Sequence, residues 1–223
     1  RELEKLDFFE GIPQDILQNL LNESTVASYK KKEVIFHSRT RTEFVYFVLS
    51  GEVMLYNLTK HGNRKVIFIL GKGRLLNQSI VSKKPNALFG EAVCPVQALK
   101  IPEGVFLRLM EQCHELTYSI LREYERNLWR MGHQLKNTTG NMQTERKIAA
   151  KLWKLGRDFG VETEEGVMVD IDLTITLMAD LVGVPRENVS RACKVLTDRG
   201  LIRYSSKRFI LTDFDGLADF YKM

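Results

Sequence analysis

The sequence predicts an α+β chain in three parts: an antiparallel β-roll, one long helix, and a winged helix-turn-helix. Three observations carry that prediction. Short β-branched and aromatic runs broken by glycines fill the front of the chain. A heptad of mostly apolar residues runs from Thr117 to Leu135. The stretch from Thr174 to Leu196 reads as two short helices joined at Gly183, with a basic hairpin behind them. At 223 residues and 44% hydrophobic content, the chain can hold two domains with real cores.

The front runs are Val34 to Phe36, Phe44 to Leu49, Val53 to Tyr56 and Val66 to Leu70, separated by Gly51, Gly62, Gly71 and Gly73. Ser50-Gly51 and His61-Gly62-Asn63 supply hairpin turns. Repeated short strands need a closed or doubled sheet to cover their edges. Ala98 to Ile101 gives a last strand before Pro102 and Glu103 open helical sequence.

Beyond it, Thr117, Leu121, Tyr124, Leu128, Met131 and Leu135 alternate steps of four and three residues. So narrow a seam suits one partner helix, with Arg122, Glu123, Glu125, Arg126 and Arg130 charging the remaining surface. Leu121, Tyr124, Leu128, Met131 and Leu135 are assigned to a parallel homodimer seam; packing of the helix on its own sheet is the other reading, and the two are compatible. Gly132 costs the helix about 0.5–1 kcal/mol relative to alanine and marks a close approach or a flexible step. The polar run Asn137 to Asn141 reads as a hinge, after which Ile148, Leu152 and Leu155 resume helical spacing toward Phe159.

In the last part, Gly183 follows Met178, Leu181 and Val182, where a turn between crossing helices needs a residue tolerant of positive φ. Pro185 suits a first helical turn because its φ is already helical and its missing amide has no partner to lose. Val189, Ala192, Val195 and Leu196 then face the core, leaving Arg186, Glu187, Ser190, Arg191 and Lys194 outside. Arginine can fork onto guanine O6 and N7, glutamate can accept from cytosine N4, and serine serves base edges or phosphate. Spacing alone also allows an ordinary amphipathic hairpin. The next segment favours DNA: Leu201 to Tyr204 and Phe209 to Leu211 read as two strands around the polar turn Ser205 to Arg208. From Arg186 to Arg208 the cations Arg186, Arg191, Lys194, Arg199, Arg203, Lys207 and Arg208 face only Glu187 and Asp198. A net charge of +5 says little alone, but this placement favours a polyanion. Arg186, Glu187, Ser190 and Arg191 are the candidate base readers; Thr174, Thr176, Lys194, Lys207 and Arg208 are the candidate phosphate contacts.

Several classes drop out. No apolar run reaches membrane-spanning length, and no secretory leader is visible, so the expected location is the cytoplasm. The chain does not begin with Met, so residues ahead of it are expected. Cys94, Cys113 and Cys193 have no framework or metal-ligand spacing, which fits a reducing compartment. No nucleophile and base arrangement, phosphate-cradling loop or metal site points to an enzyme.

The order of parts resembles the family of the cyclic-AMP receptor protein and the fumarate and nitrate reduction regulator, the Crp-Fnr regulators, over essentially the whole chain. Tyr46, Gly51, Val53, Gly62 and Gly73 look like that family's effector roll, a cupin-like double-stranded β-helix. Pro185-Arg186-Glu187-Asn188-Val189-Ser190-Arg191 looks like the start of its recognition helix: Glu187, Ser190 and Arg191 match the oxygen-sensing branch, and Arg186, Glu187 and Arg191 the cyclic-AMP branch. The resemblance implies a roll over residues 1–103, a connecting and dimerisation helix over 104–137 and a winged helix-turn-helix over 138–223. It also implies a homodimer on an inverted repeat of TGTGA- or TTGAT-like half-sites, with RNA polymerase as a further partner if the chain is an activator.

The departures bear on the effector. The family's ribose-binding Gly-Glu pair and phosphate-binding Arg-Ser pair are absent where Arg74 to Ser79 and Ala87 to Glu91 stand; Gly90-Glu91 is read as coincidence. A buried phosphodiester without a matched guanidinium is costly, which disfavours cyclic AMP. The four-cysteine cluster of the oxygen-sensing branch is missing from this chain, so an iron-sulfur cluster is not expected. Nor is haem, since nothing beside His37, His61, His114 and His133 in the sequence supplies the supporting groups a haem ligand needs. Leu75, Leu76, Asn77, Leu88, Phe89, Leu128, Met131 and Gly132 are instead the candidate pocket for an uncharged small-molecule effector, against plain core packing. Two rivals stand beside the regulator: a ligand-binding regulatory subunit acting on a protein partner, and a redox sensor using Cys113 or Cys193.

Overall fold

The computed structural model describes residues 6–138 and 142–222. They form two compact units, Arg1–Asn57 with Ile67–Gly132, and Leu58–Val66 with His133–Met223.

The first unit starts with a 3-10 turn, Asp7–Phe9, and helix α1, Gln14–Asn22. Seven strands follow: β1 Thr25–Tyr29, β2 Val34–Phe36, β3 Phe44–Ser50, β4 Val53–Leu58, β5 Arg64–Leu70, β6 Phe89–Ala92 and β7 Val96–Pro102. They make two sheets, β1-β7-β3 and β2-β6-β4-β5, with β7 antiparallel to both neighbours and β6 antiparallel to β2 and β4. Strand β3 is apolar along nearly its whole length because both of its faces are covered. Val45 and Phe47 join the cluster under α1, while Tyr46 and Val48 point into the roll with Val53, Leu55, Phe68 and Leu70. Sequence reading missed β1 and β6. Strand β1, Thr-Val-Ala-Ser-Tyr, buries none of its residues fully, and β6 is only four residues long, so each becomes a strand through nonlocal pairing.

Helix α2, Glu103–Gln112, begins where Pro102 ends β7, and Glu103 N–H donates to Glu43 O at 2.8 Å. Helix α3, His114–Thr138, follows a break at Cys113, across which Thr117 Oγ1 donates to Met110 O at 2.7 Å. Leu116 and Ile120 bury one stripe of α3 under the roll. The hinge expected at Asn137 to Asn141 begins inside α3, which continues through Thr138; the remainder of that run lies outside the described residues.

The second unit contains α4 Thr144–Phe159, β8 Gly160–Thr163, β9 Gly166–Val169, α5 Ile175–Val182, α6 Arg186–Asp198, β10 Arg203–Ser205, β11 Arg208–Leu211 and α7 Phe214–Lys222. Its sheet order is β10-β11-β9-β8. Ile148, Leu152, Met178, Val189, Leu196, Phe209, Leu211 and Leu217 are buried together in its interior, and Trp153 stacks on Phe214 with centroids 5.7 Å apart. The hairpin β8–β9 is not announced by the sequence because its exposed β8 residues, Gly160 to Thr163, carry no apolar alternation.

Candidate nucleic-acid interface and effector site

Thr174 caps α5: its Oγ1 accepts the Leu177 N–H at 3.1 Å. The helix stops at Gly183, whose φ of 78° lets its N–H and that of Val184 both return to Ala179 O, at 2.7 and 3.3 Å. Pro185 then fronts α6. Val189, Ala192, Cys193 and Leu196 of α6 are buried at the i, i+3, i+4, i+7 spacing. This corrects the reading at one position: Val195 is 37% exposed and Cys193 takes the inward place. Arg186, Glu187, Ser190, Arg191 and Lys194 are all exposed, so one face of α6 presents the expected donors and acceptors.

The wing is β10 and β11. Ser205 pairs with Arg208, leaving Ser206 and Lys207 as a two-residue turn with φ of 50° and 63°. Positive φ at both central positions is the geometry that matches strand twist, and non-glycine residues hold it only when the surroundings enforce it. One restraint is visible: Leu173 N–H donates to Lys207 O at 2.9 Å, tying the wing tip to the segment that enters α5. Thr176, Lys194 and Lys207 are exposed as expected of phosphate contacts. Thr174 is half-buried and its oxygen serves the cap. Arg208 departs from the expectation of a free cation. It is ion-paired with Asp170, and its Nη2 lies 3.8 Å from Asp172 Oδ1, while Arg203 is paired with Glu165. The wing's charge is therefore partly neutralised within the unit.

The residues assigned to an effector pocket sit in different environments. Leu75 belongs to the cluster beneath the helices and Leu76 to the roll interior, since neighbours along an extended chain point oppositely. Asn77 is buried and spent on β3: its Oδ1 accepts Tyr46 N–H at 2.8 Å and its Nδ2 donates to Phe44 O at 2.9 Å. Leu88 N–H donates to Gln78 Oε1 at 3.3 Å, and Phe89 stacks on Tyr56. Leu128 and Met131 are exposed, as are Leu121 and Leu135, so four of the five residues assigned to the seam are exposed in the single chain. Tyr124 instead packs against the roll, and burial pushes its phenol up to about 12.

What the sequence reading missed is a polar stripe on α3. Glu123 and Arg130 are buried and Asn127 is half-buried, at the i, i+4, i+7 spacing of one helical face. Arg74 Nη1 donates to Glu123 Oε2 at 3.3 Å, and the Arg130 guanidinium lies 5.2 Å from the Phe68 ring centre. Glu123 Oε1 and Asn127 Oδ1 are buried without a hydrogen-bond partner. The spacing is legible in the sequence, but Glu123 and Arg130 look like solvated charge there because their neighbours on the helix are charged.

Gly90-Glu91 has a packing explanation. A Cβ at Gly90 would stand 2.7 Å from the Phe36 ring, and Glu91 Oε2 accepts the Tyr56 hydroxyl at 3.1 Å. Among the described residues no group of His, Cys, Asp and Glu could hold a metal ion. Burial pushes the Cys193 thiol up to about 11 and raises Cys113, while Cys94 Sγ donates to Glu52 Oε2 at 2.9 Å.

A β-roll joined through a long helix to a winged helix-turn-helix defines a class, the two-domain DNA-binding regulators. Residues 26–113 match the model of the cyclic nucleotide-binding domain, and residues 146–220 that of the Crp-like helix-turn-helix domain. The chain belongs to the Crp-Fnr family and is a DNA-binding transcription regulator, not an enzyme. It is 23% identical over 217 residues to the CRP-like cAMP-activated global transcriptional regulator of Mycobacterium tuberculosis, covering 97% of this chain and 96% of that one. It is 24% identical over 186 residues to the global nitrogen regulator of Nostoc sp., with coverage of 82% and 83%. In fold it is similar to FixK2 from Bradyrhizobium japonicum, with a TM-score of 0.76, 20% identity and coverage of 88% and 96%. Among the described residues no helix is long and apolar enough to cross a membrane.

Proposed function

We propose that the chain acts as a homodimer on an inverted-repeat operator with TGTGA- or TTGAT-like half-sites, gated by a small-molecule effector other than cyclic AMP. The observation that carries the reading is the exposed face of α6, where Arg186, Glu187, Ser190 and Arg191 stand together beside a wing whose tip is tethered. Base edges are read by the α6 residues; Thr176, Lys194 and Lys207 set register on phosphates. The seam residues Leu121, Leu128, Met131 and Leu135 pair two copies, and two-fold symmetry of the protein then demands two-fold symmetry of the site.

The M. tuberculosis relative is cAMP-activated by name. Against that ligand here stand two features: the Arg-Ser pair is absent, and Arg74 in the roll's turn already holds Glu123. An effector that engages the roll face of α3 differently in two states would shift the helix and re-aim the two recognition helices. RNA polymerase is a further partner if the regulator activates. The thiol-sensor alternative loses support from the burial of Cys113 and Cys193, which keeps both as thiols.

The deciding experiment selects bound sequences from a random duplex library with the purified protein, with and without cell extract. Enrichment of an inverted repeat supports the regulator, and enrichment only with extract supports a dissociable effector. No enrichment in either condition favours the regulatory subunit acting on a protein partner.

A further inference from the structure

Asn188 and Arg191 lie one turn apart on α6, and Arg191 Nη2 donates to Asn188 Oδ1 at 2.5 Å. Arginine carries only donors, so the amide oxygen, not its nitrogen, must face the guanidinium. The anchor is firm. Asn188 N–H donates to Pro185 O at 3.0 Å, Asn188 is half-buried, and the adjacent Val189 is fully buried in the core of the unit. Arg191 is exposed, and an exposed arginine otherwise samples many rotamers that binding must remove.

We propose that Asn188 is a positioning residue that presets the Arg191 guanidinium for base reading, and so is a determinant of operator specificity. The proposal rests on the reading that Arg191 contacts a base. One of five N–H groups is spent on Asn188, and the others still offer the fork that guanine O6 and N7 accept. The partner's neutrality matters. Arg203 and Arg208 in the wing are held by the carboxylates of Glu165, Asp170 and Asp172, which cancel much of their field. An amide orients Arg191 without discharging it, leaving its full attraction for DNA.

The test measures affinity of the full chain for the selected operator, for single base-pair variants of it, and for an unrelated duplex, across salt concentrations. Arg191→Ala identifies the base pair that Arg191 reads. Asn188→Leu is expected to lower discrimination at that same pair about tenfold, the scale of losing good alignment in one bidentate contact, with the salt slope unchanged. Asn188→Asp keeps an acceptor and restores discrimination, while its added charge lowers affinity for every duplex alike. Thermal melting confirms that both variants fold. An equal loss on all duplexes with Asn188→Leu, relaxation at a different base pair, or no change at all overturns the proposal. If Arg191→Ala itself leaves discrimination intact, the base-reading assignment fails, which is a separate result.

Discussion

Arg74, in the turn that follows β5, holds the buried carboxylate of Glu123 on α3 at 3.3 Å. The pair links the roll to α3, the helix on which the proposed dimer seam lies. Removing one partner of a buried pair leaves the other charge uncompensated. Arg74 is 22% exposed, which softens that cost through solvent screening. Arg74→Met is expected to destabilise the protein by about 2 kcal/mol, and the double variant Arg74→Met with Glu123→Met to recover most of it. Urea unfolding of the four proteins measures this; additive losses in the double variant would show that the pair does not couple.

Arg191 and Lys207 are expected to fail in different ways. Arg191→Ala costs on the order of 1–3 kcal/mol at one base pair and relaxes specificity there. Lys207→Ala weakens binding to all duplexes and lowers the slope of log affinity against log salt by about one. Arg208→Ala behaves otherwise, because Arg208 lies between Asp170 and Asp172: its loss removes a cation from beside two carboxylates near the wing and lowers thermal stability as well as DNA affinity. Titrations at several salt concentrations, paired with melting curves, separate the three. Identical profiles would sink the division into base, phosphate and internal contacts.

Cys193 is expected to make the protein's stability sensitive to alkali. Its thiol is raised from 9.0 to about 11 by burial, so the native state keeps a proton that the unfolded chain loses first. Stability from this group is complete below about pH 9 and falls as pH rises toward 11, by at most about 2–3 kcal/mol. Tyr46 and Tyr124, each raised to about 12, extend the decline in the same direction. Cys193→Ala should flatten the loss between pH 9 and 11, and native Cys193 should resist alkylation at pH 8. Rapid alkylation of the folded protein would reopen the thiol-sensor reading.

Local signals explain which parts of the molecule were legible in the sequence. Gly183, Pro185 and the α6 periodicity mark their turn and helix with nearest-neighbour chemistry, so the exposed face of α6 is legible in the sequence, with Val195 in place of Cys193 the one inward position misassigned. Strand β6 and the roles of Asn77 and Gly90 depend on partners far along the chain: Val53 to Tyr56 for the strand, Phe44 and Tyr46 for the amide, Phe36 for the glycine. Glycine at 90 follows from the absence of room for a Cβ beneath Phe36, which no local pattern announces. Glu123 and Arg130 look like surface charge because helical spacing tells which residues share a face but not what covers it.

Gly90 supplies a test of that packing. Its backbone needs no unusual φ, so substitution acts through space alone, and a methyl group would meet three Phe36 ring atoms at 2.7 to 3.0 Å. Gly90→Ala is expected to destabilise the roll by about 1–3 kcal/mol, and Phe36→Leu in the same chain to relieve part of that strain. Differential melting of the single and double variants reads the coupling, and additive losses would show that the two residues do not press on each other.

The seam gives the last expectation. In the single chain Leu128 is 72% exposed, with Leu121, Met131 and Leu135 exposed along the same heptad line, an apolar strip that water alone would cover poorly. Leu128→Glu places two like charges against each other at the centre of a parallel pair, where each would be desolvated, so it should dissociate the dimer at micromolar concentration while the monomer keeps its melting cooperativity. Sedimentation equilibrium reads the mass directly. Operator affinity should fall together with the dimer, because each half-site then binds one recognition helix without the second. A Leu128→Glu protein that stays dimeric, or a wild-type chain that sediments as a monomer, would assign the strip to another partner and leave the inverted-repeat operator without its structural basis.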